Sequence, residues 1–299
     1  MSRKSVCFAN LKGGVGKSTL SVAFAEYLAF VKDQRVLVID GDPQGNSTLM
    51  LVGSETAEKF DRERRTFFDL IGEFLDGSRV LRPSDFIEDS VSNISKVCPG
   101  SISLVPSTIR FTGYEHFVIR EMTKHNKTSD AIHGSVSKIV GKLERYCIEA
   151  YDWVIVDAPP SFGMQARLVM RLARHAVIPT TADPLSGHGV SHVVDRLRRH
   201  RLRTRPLCVV ISKFRQQSDT ARQFRSAAKK RENPPVGLNW PQLLRSVIPE
   251  GASLQRIADY GQFNPKPGSV REKYRDKAAV VAQMSEEIIQ LIEAKSETL

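Results

Sequence analysis

Residues 10–19 read Asn-Leu-Lys-Gly-Gly-Val-Gly-Lys-Ser-Thr, a glycine-rich stretch with two lysines, Lys12 and Lys17, five positions apart. A short apolar run, Ser5 to Asn10, precedes it. After it Leu20, Ala23, Phe24, Tyr27, Leu28 and Val31 recur in steps of three and four. Strand, glycine loop and helix in that order form a phosphate cradle, because loop amides and the helix N-terminus all face an anion. The cradle comprises Lys12, Gly13, Gly14, Val15, Gly16, Lys17, Ser18 and Thr19. In it Lys17 reaches the β- and γ-phosphates of a nucleotide, and the Ser18 hydroxyl holds Mg²⁺. The usual spacing, G-x-x-x-x-G-K-[ST], fails at its first glycine, where Leu11 stands.

A second ammonium in the same loop repels Lys17 unless more negative charge lies close by. Lys12 therefore suits a second nucleotide, brought by a facing subunit. Carboxylates stand where a metal–phosphate site needs them. Val36–Asp40 and Trp153–Asp157 are continuous apolar runs that end in aspartate, as strands buried on both faces do. Asp40 and Asp42, two positions apart beyond a strand end, can both face such a site.

The octet Lys12-Gly13-Gly14-Val15-Gly16-Lys17-Ser18-Thr19 resembles the deviant Walker A motif of ParA/MinD-type ATPases, closest to the ParA-like partition ATPases. The run Val38-Ile39-Asp40-Gly41-Asp42-Pro43-Gln44-Gly45-Asn46 resembles that family's second motif. Asp157 followed by Ala158-Pro159-Pro160-Ser161 resembles its Walker B carboxylate and the loop that senses the γ-phosphate. Leu104-Val105-Pro106-Ser107 and the stretch from Val177 to Leu185 also look like family landmarks. The resemblance covers most of the chain and is weaker in 53–150 and after 215. It implies Mg²⁺-dependent ATP hydrolysis in an ATP-sandwich dimer, with Lys12 reaching across and catalytic roles for Lys12, Lys17 and Asp42. Asp42 orients the attacking water, Ser18 and Asp157 ligate Mg²⁺, and Asp40 supports the Mg²⁺ shell. Adenine contacts are expected from the loops after Lys213 and around Pro249.

The elements that must position these residues alternate. Ala176–Pro179, Leu207–Ile211 and a short Val247–Pro249 read as further strands, and helical patterns lie between strands. Such alternation predicts an α/β fold, a P-loop NTPase with a mostly parallel twisted sheet flanked by helices on both faces. One domain, 1–299, is expected. Residues 53–150 are a less typical helical and loop elaboration that holds a helix from Thr66 to Leu75, and residues 190–299 are a basic C-terminal part. A last helix is expected near Val280–Ala294. The cysteines, Cys7, Cys98, Cys147 and Cys208, are far apart and form no C-x-x-C pair, which argues for reduced buried thiols.

The charge is uneven. Residues 1–189 hold 23 basic and 22 acidic residues, and residues 190–299 hold 21 against 11. A localised basic excess suits nucleic acid or another anionic surface. Arg196 to Arg205 contain six arginines, and more basic residues follow at Arg222, Arg225, Lys229, Lys230 and Arg231. Many relatives carry arginines just after the last Ile-Pro, where this chain reads Ile248-Pro249-Glu250-Gly251. Arg245 and Arg256 flank that gap. With Arg271, Lys273 and Arg275 they are the candidate contacts to non-specific double-stranded DNA.

The last helix carries Glu286, Glu287 and Glu293, which an anionic membrane repels, so no membrane partner is expected. A cytoplasmic protein, nucleoid-associated when ATP-bound, follows. No room is left before residue 10 for a helix-turn-helix domain, so a separate adaptor protein is expected to recognise the centromere or cargo. Two other tasks fit the same ATP site: positioning a non-DNA protein cargo, and assisting conjugative DNA transfer.

Overall fold

The computed structural model describes residues 4–76, 82–95, 98–124, 129–230, 240–251, 254 and 266–297. Seven strands form one parallel sheet: β1 (Ser5–Phe8), β2 (Arg35–Asp40), β3 (Ser101–Val105), β4 (Trp153–Asp157), β5 (His175–Thr181), β6 (Arg205–Phe214) and β7 (Gln242–Pro249). Their spatial order is β3-β2-β4-β1-β5-β6-β7. The central strands read as unbroken apolar runs because both faces are covered. In β2, Val36 and Val38 join one core while Leu37 and Ile39 join the other, as the two-residue period of a strand requires.

Helix α1 (Lys17–Phe30) lies on one face with α2 (Asn46–Arg62), α9 (Val270–Tyr274) and α10 (Ala278–Glu297). The other face carries α3 (Phe67–Asp76), α4 (Tyr114–Lys124), α5 (Ser129–Ala150), α6 (Met164–Met170) and α7 (Pro184–Arg199). A further helix, α8 (Asp219–Lys230), follows β6. The apolar stripe of the last helix, Val281, Met284, Ile288 and Ile292, is buried in the core. Among the described residues no helix is long and apolar enough to cross a membrane.

Two elements escape the sequence patterns. β3 (Ser-Ile-Ser-Leu-Val) is only five residues long, mixes serine with its apolar residues, and lies in a stretch read as irregular. It nevertheless pairs with β2 along its whole length. α2 is interrupted at Gly53, whose φ of 79° and ψ of 171° break the helix and with it the apolar period.

Candidate nucleotide-binding site

The sheet order places the site. β4 lies between β1 and β2, with Phe8 opposite Asp157 and Asp157 opposite Asp40. The loop after β1 and the two strand-end aspartates thus meet at the carboxyl edge of the sheet, where ligands of open α/β sheets bind. Gly14 and Gly16 adopt left-handed φ values of 71° and 84°, which glycine reaches without strain. Ser212 at the end of β6 braces the loop by donating to the Val15 carbonyl at 2.7 Å. Asn10 closes its base, with Nδ2 donating to the Pro179 carbonyl at 2.6 Å and Oδ1 accepting from the Lys12 amide at 3.0 Å.

The two lysines part ways. Lys17 is 6% exposed, and its ammonium donates to the Lys12 carbonyl at 3.2 Å. Burial lowers its pKa, and the nearby Asp157 and Asp42 oppose that shift. The Lys12 ammonium lies at the exposed lip and donates to Ser186 Oγ at 2.7 Å and Asp183 Oδ2 at 3.3 Å. Burial alone would raise the Asp183 pKa. Hydrogen bonds from Ser186 and Thr181, and the Lys12 charge, instead hold it at about 2. The Lys12 side chain is 45% exposed, and a solvent-facing pair of this kind contributes about 1 kcal/mol or less. Lys12 can leave this seat at small cost.

The three aspartates differ in their surroundings. Asp40 is fully committed within the chain. Its Oδ2 accepts from the Thr48 amide at 2.8 Å and the Thr48 hydroxyl at 2.7 Å, and its Oδ1 accepts from the Asp42 amide at 3.1 Å. It ties the start of α2 to β2. Burial and the neighbouring Asp157 charge push its pKa well up, against the Thr48 bonds. Asp42 is 5% exposed, and burial raises its pKa while the Gln44 amide and Lys17 pull it back. Asp157 is fully buried. Its Oδ2 accepts from Ser47 at 2.7 Å, and its Oδ1 has no hydrogen bond among the described residues. Burial raises its pKa to about 6, although the hydroxyls of Ser18 and Ser47 draw it down.

Two features fit a phosphate–metal group. The buried, unpartnered Asp157 Oδ1 offers a hard oxygen ligand, with the Ser18 hydroxyl close by. A Cβ built on Gly13 or Gly14 would meet nothing within 4 Å, so the cradle is open where phosphates would enter.

The raised pKa of Asp157 carries a prediction about stability. In the nucleotide-free protein its ionised form is disfavoured relative to the unfolded chain. The stability this group contributes is full below its ordinary pKa near 4 and is lost as pH rises through about 6. Asp157→Asn is therefore expected to stabilise the nucleotide-free protein at pH 7 by about 1–3 kcal/mol. The gain should shrink toward pH 4, and urea unfolding at the two pH values measures it. An equal effect at both values would show that the carboxylate charge is not the cause.

Several contacts at the site were not read from sequence, although Thr181 and Asp183 lie in the stretch from Val177 to Leu185 noted there as a landmark. Thr181, Asp183 and Ser186 seat Lys12, and Glu115 of α4 accepts from the Met164 amide at 2.9 Å, capping α6 after the Asp157 loop. Asn10 alone left a local sign, since an asparagine at a strand end commonly bonds to the backbone two residues on. The expected adenine loops are joined: Glu250 pairs with Arg215 through its side chain and bonds to the Phe214 carbonyl through its amide at 3.1 Å.

The candidate DNA contacts divide. Arg245, Arg271 and Arg275 are exposed, and Arg256 lies outside the described residues. Lys273 requires a correction. Its side chain is 1% exposed and its ammonium is paired with the fully buried Glu26 of α1, so it faces the core and no DNA phosphate can reach it.

A glycine loop on the central strand of a seven-stranded parallel sheet, with strand-end aspartates beside it, defines a P-loop nucleoside triphosphatase of the ParA/MinD type. The chain belongs to the AAA domain family (AAA_31), whose profile matches residues 3–207. It is 26% identical over 263 residues to the chromosome-partitioning ATPase Soj of Thermus thermophilus, covering 87% of this chain and 86% of that one. The fold is shared with Cyanothece apo McdA, at a TM-score of 0.68, 18% identity and 96% and 99% coverage. It is also shared with the septum site-determining protein MinD of Pyrococcus horikoshii complexed with Mg-ADP, at a TM-score of 0.59, 17% identity and 95% coverage of each chain.

Proposed function

We propose that the protein is a Mg²⁺-dependent ATPase that works as an ATP-bound homodimer and binds double-stranded DNA without reading its bases. In this reading it drives partition of a plasmid, chromosome or other genetic element. An adaptor bound to the centromere or cargo stimulates hydrolysis. The protein is then cytoplasmic, and nucleoid-associated while ATP is bound. The observation that carries the reading is the separation of the two lysines: Lys17 is buried beside Asp42 and Asp157, while Lys12 sits at the rim in a weak seat. The likeness to Soj supports the partition task.

The residues divide the work. Ser18 and Asp157 would hold Mg²⁺, and Asp40 supports that shell by fixing the Asp42 amide and Thr48. When bound, the ion neutralises phosphate charge and orients the terminal phosphoryl group. Lys17 and the loop amides stabilise charge on the transferred group. Asp42 orients the attacking water, and Lys12 of a facing subunit adds a second cation. Hydrolysis removes the group that Lys12 reaches for, so the dimer is expected to dissolve afterwards.

The test is binding of a random double-stranded DNA fragment with ATP, with ADP, and by a Lys12→Ala variant with ATP, at low and moderate salt. Binding is expected only for the unaltered protein with ATP, and weaker at the higher salt. Equal binding in all states would remove the dimer from the reading, and no binding in any state would remove DNA.

A further inference from the structure

The run Arg196-Leu-Arg-Arg-His-Arg-Leu-Arg-Thr-Arg205 holds six arginines and no acid. It forms the end of α7, a turn and the start of β6. All six arginines are exposed, while Leu197, Leu202 and Thr204 are buried beneath them. Arg199 pairs with Asp195, and among the described residues the other five show no carboxylate partner. Like charges at this density repel one another and are held here by the fold.

The turn is rigid. The Leu202 amide donates to the Leu197 carbonyl at 3.1 Å. Thr204 Oγ1 donates to the carbonyls of Met170 at 2.6 Å and Ala173 at 2.9 Å. The Arg205 amide donates to the Arg174 carbonyl at 2.7 Å. These bonds staple the turn to the end of α6, beside exposed Arg174 and half-buried Arg171. The result is a fixed backbone turn that displays six exposed arginines at the surface.

We propose that this array docks the phosphate backbone of double-stranded nucleic acid, and that the loop after Asp157 regulates it through Phe162 and His200. The first part rests on the DNA-binding reading above and adds where the DNA sits. Guanidinium forks match phosphate oxygens pairwise, and a held backbone that displays several of them suits a run of phosphates. A lipid surface is the poorer occupant. Membrane-binding faces insert apolar side chains, and the exposed large apolar residues among those described, Val31, Ile109 and Ile119, lie elsewhere.

Regulation rests on a contact. The Phe162 ring, five residues after Asp157, stacks on the His200 ring with centroids 5.4 Å apart and planes at 27°. His200 Nδ1 lies 3.2 Å from Arg167 Nη1 on α6. A guanidinium only donates, so Nδ1 is the acceptor and the imidazole proton is on Nε2. Through this stack a shift of Phe162 would be felt at His200, in the middle of the arginine run.

The test compares the full chain with an Arg198→Ala/Arg201→Ala/Arg203→Ala variant. A random double-stranded DNA fragment is titrated with ATP over a salt series, with nucleotide binding as the fold control. We expect at least a tenfold loss of DNA affinity, a salt slope smaller by 2 to 3, and unchanged nucleotide binding. Arg245→Ala/Arg271→Ala tests the rival placement: a slope smaller by about 2 in that variant, with none lost in the triple variant, overturns the proposal. If the triple variant keeps both affinity and slope, the placement is wrong while DNA binding stands. If the unaltered protein binds no DNA, the partition reading and the docking face fall together. If the triple variant instead loses binding to phosphatidylserine vesicles and keeps DNA, the occupant is a membrane. Phe162→Leu is expected to shrink the ratio of ATP-state to ADP-state affinity at least threefold, and an unchanged ratio overturns the regulation alone.

Discussion

A Lys273→Met substitution is expected to lower the unfolding free energy by about 3–5 kcal/mol, the usual loss when one partner of a buried ion pair is removed. The Lys273 and Glu26 side chains are 1% and 0% exposed, and Tyr274 Oη donates to the second carboxylate oxygen of Glu26 at 2.7 Å. Methionine fills a similar volume, so the loss comes from a carboxylate left buried with, among the described residues, only the tyrosine hydroxyl to bond. Urea unfolding measures it. The double variant Glu26→Leu/Lys273→Met should recover most of the stability, because an apolar pair of similar size replaces an ion pair at little net cost. If both variants unfold at the same urea concentration, the loss is a packing defect and the pair is not the reason. The consequence reaches function, since Glu26 lies on the helix that begins at Lys17 and Lys273 anchors α9 to it. A Lys273 variant that lost DNA binding would report a damaged fold.

Lys17→Ala is expected to reduce ATP hydrolysis by about 10²–10³-fold, the scale of losing one buried charge-stabilising donor. Its ammonium is desolvated, Asp157 and Asp42 favour its charge, and among the described residues it bonds only to the Lys12 carbonyl, at 3.2 Å. That carbonyl is a weak partner which a phosphate oxygen can displace at little cost. Lys17→Arg should not rescue the rate, because a planar fork cannot occupy the place of a compact ammonium. Steady-state phosphate release at saturating Mg²⁺ and ATP measures both variants. A Lys17→Ala rate within threefold of the unaltered protein would sink the assignment. Lys12→Ala serves as the contrast: its effect should depend on protein concentration, as a group acting across a dimer requires, while that of Lys17 should not.

Local chemistry wrote most of the site into the sequence. A glycine loop between strand and helix needs no distant residue to be recognised, and Lys17, Ser18 and the Asp40–Asp42 pair stand within one such unit or at its neighbouring strand end. The buried strands announce themselves because a two-faced strand must be apolar throughout. Chain pairing at long range decided the rest. β4 enters between β1 and β2 from more than a hundred residues away, and only that insertion brings Asp157 beside Asp40 and leaves its Oδ1 open. The seat of Lys12 on Asp183 and the cap of Glu115 on α6 are side-chain contacts across 171 and 49 residues, for which no periodicity exists. Lys273 shows the limit most sharply. A lysine among Arg271 and Arg275 has the composition of a solvated basic face, and only the fold of α9 against α1 turns it inward onto Glu26. Composition fixes how much charge a segment carries. Which charges meet water is settled by the packing of helices that are neighbours in space and strangers in sequence.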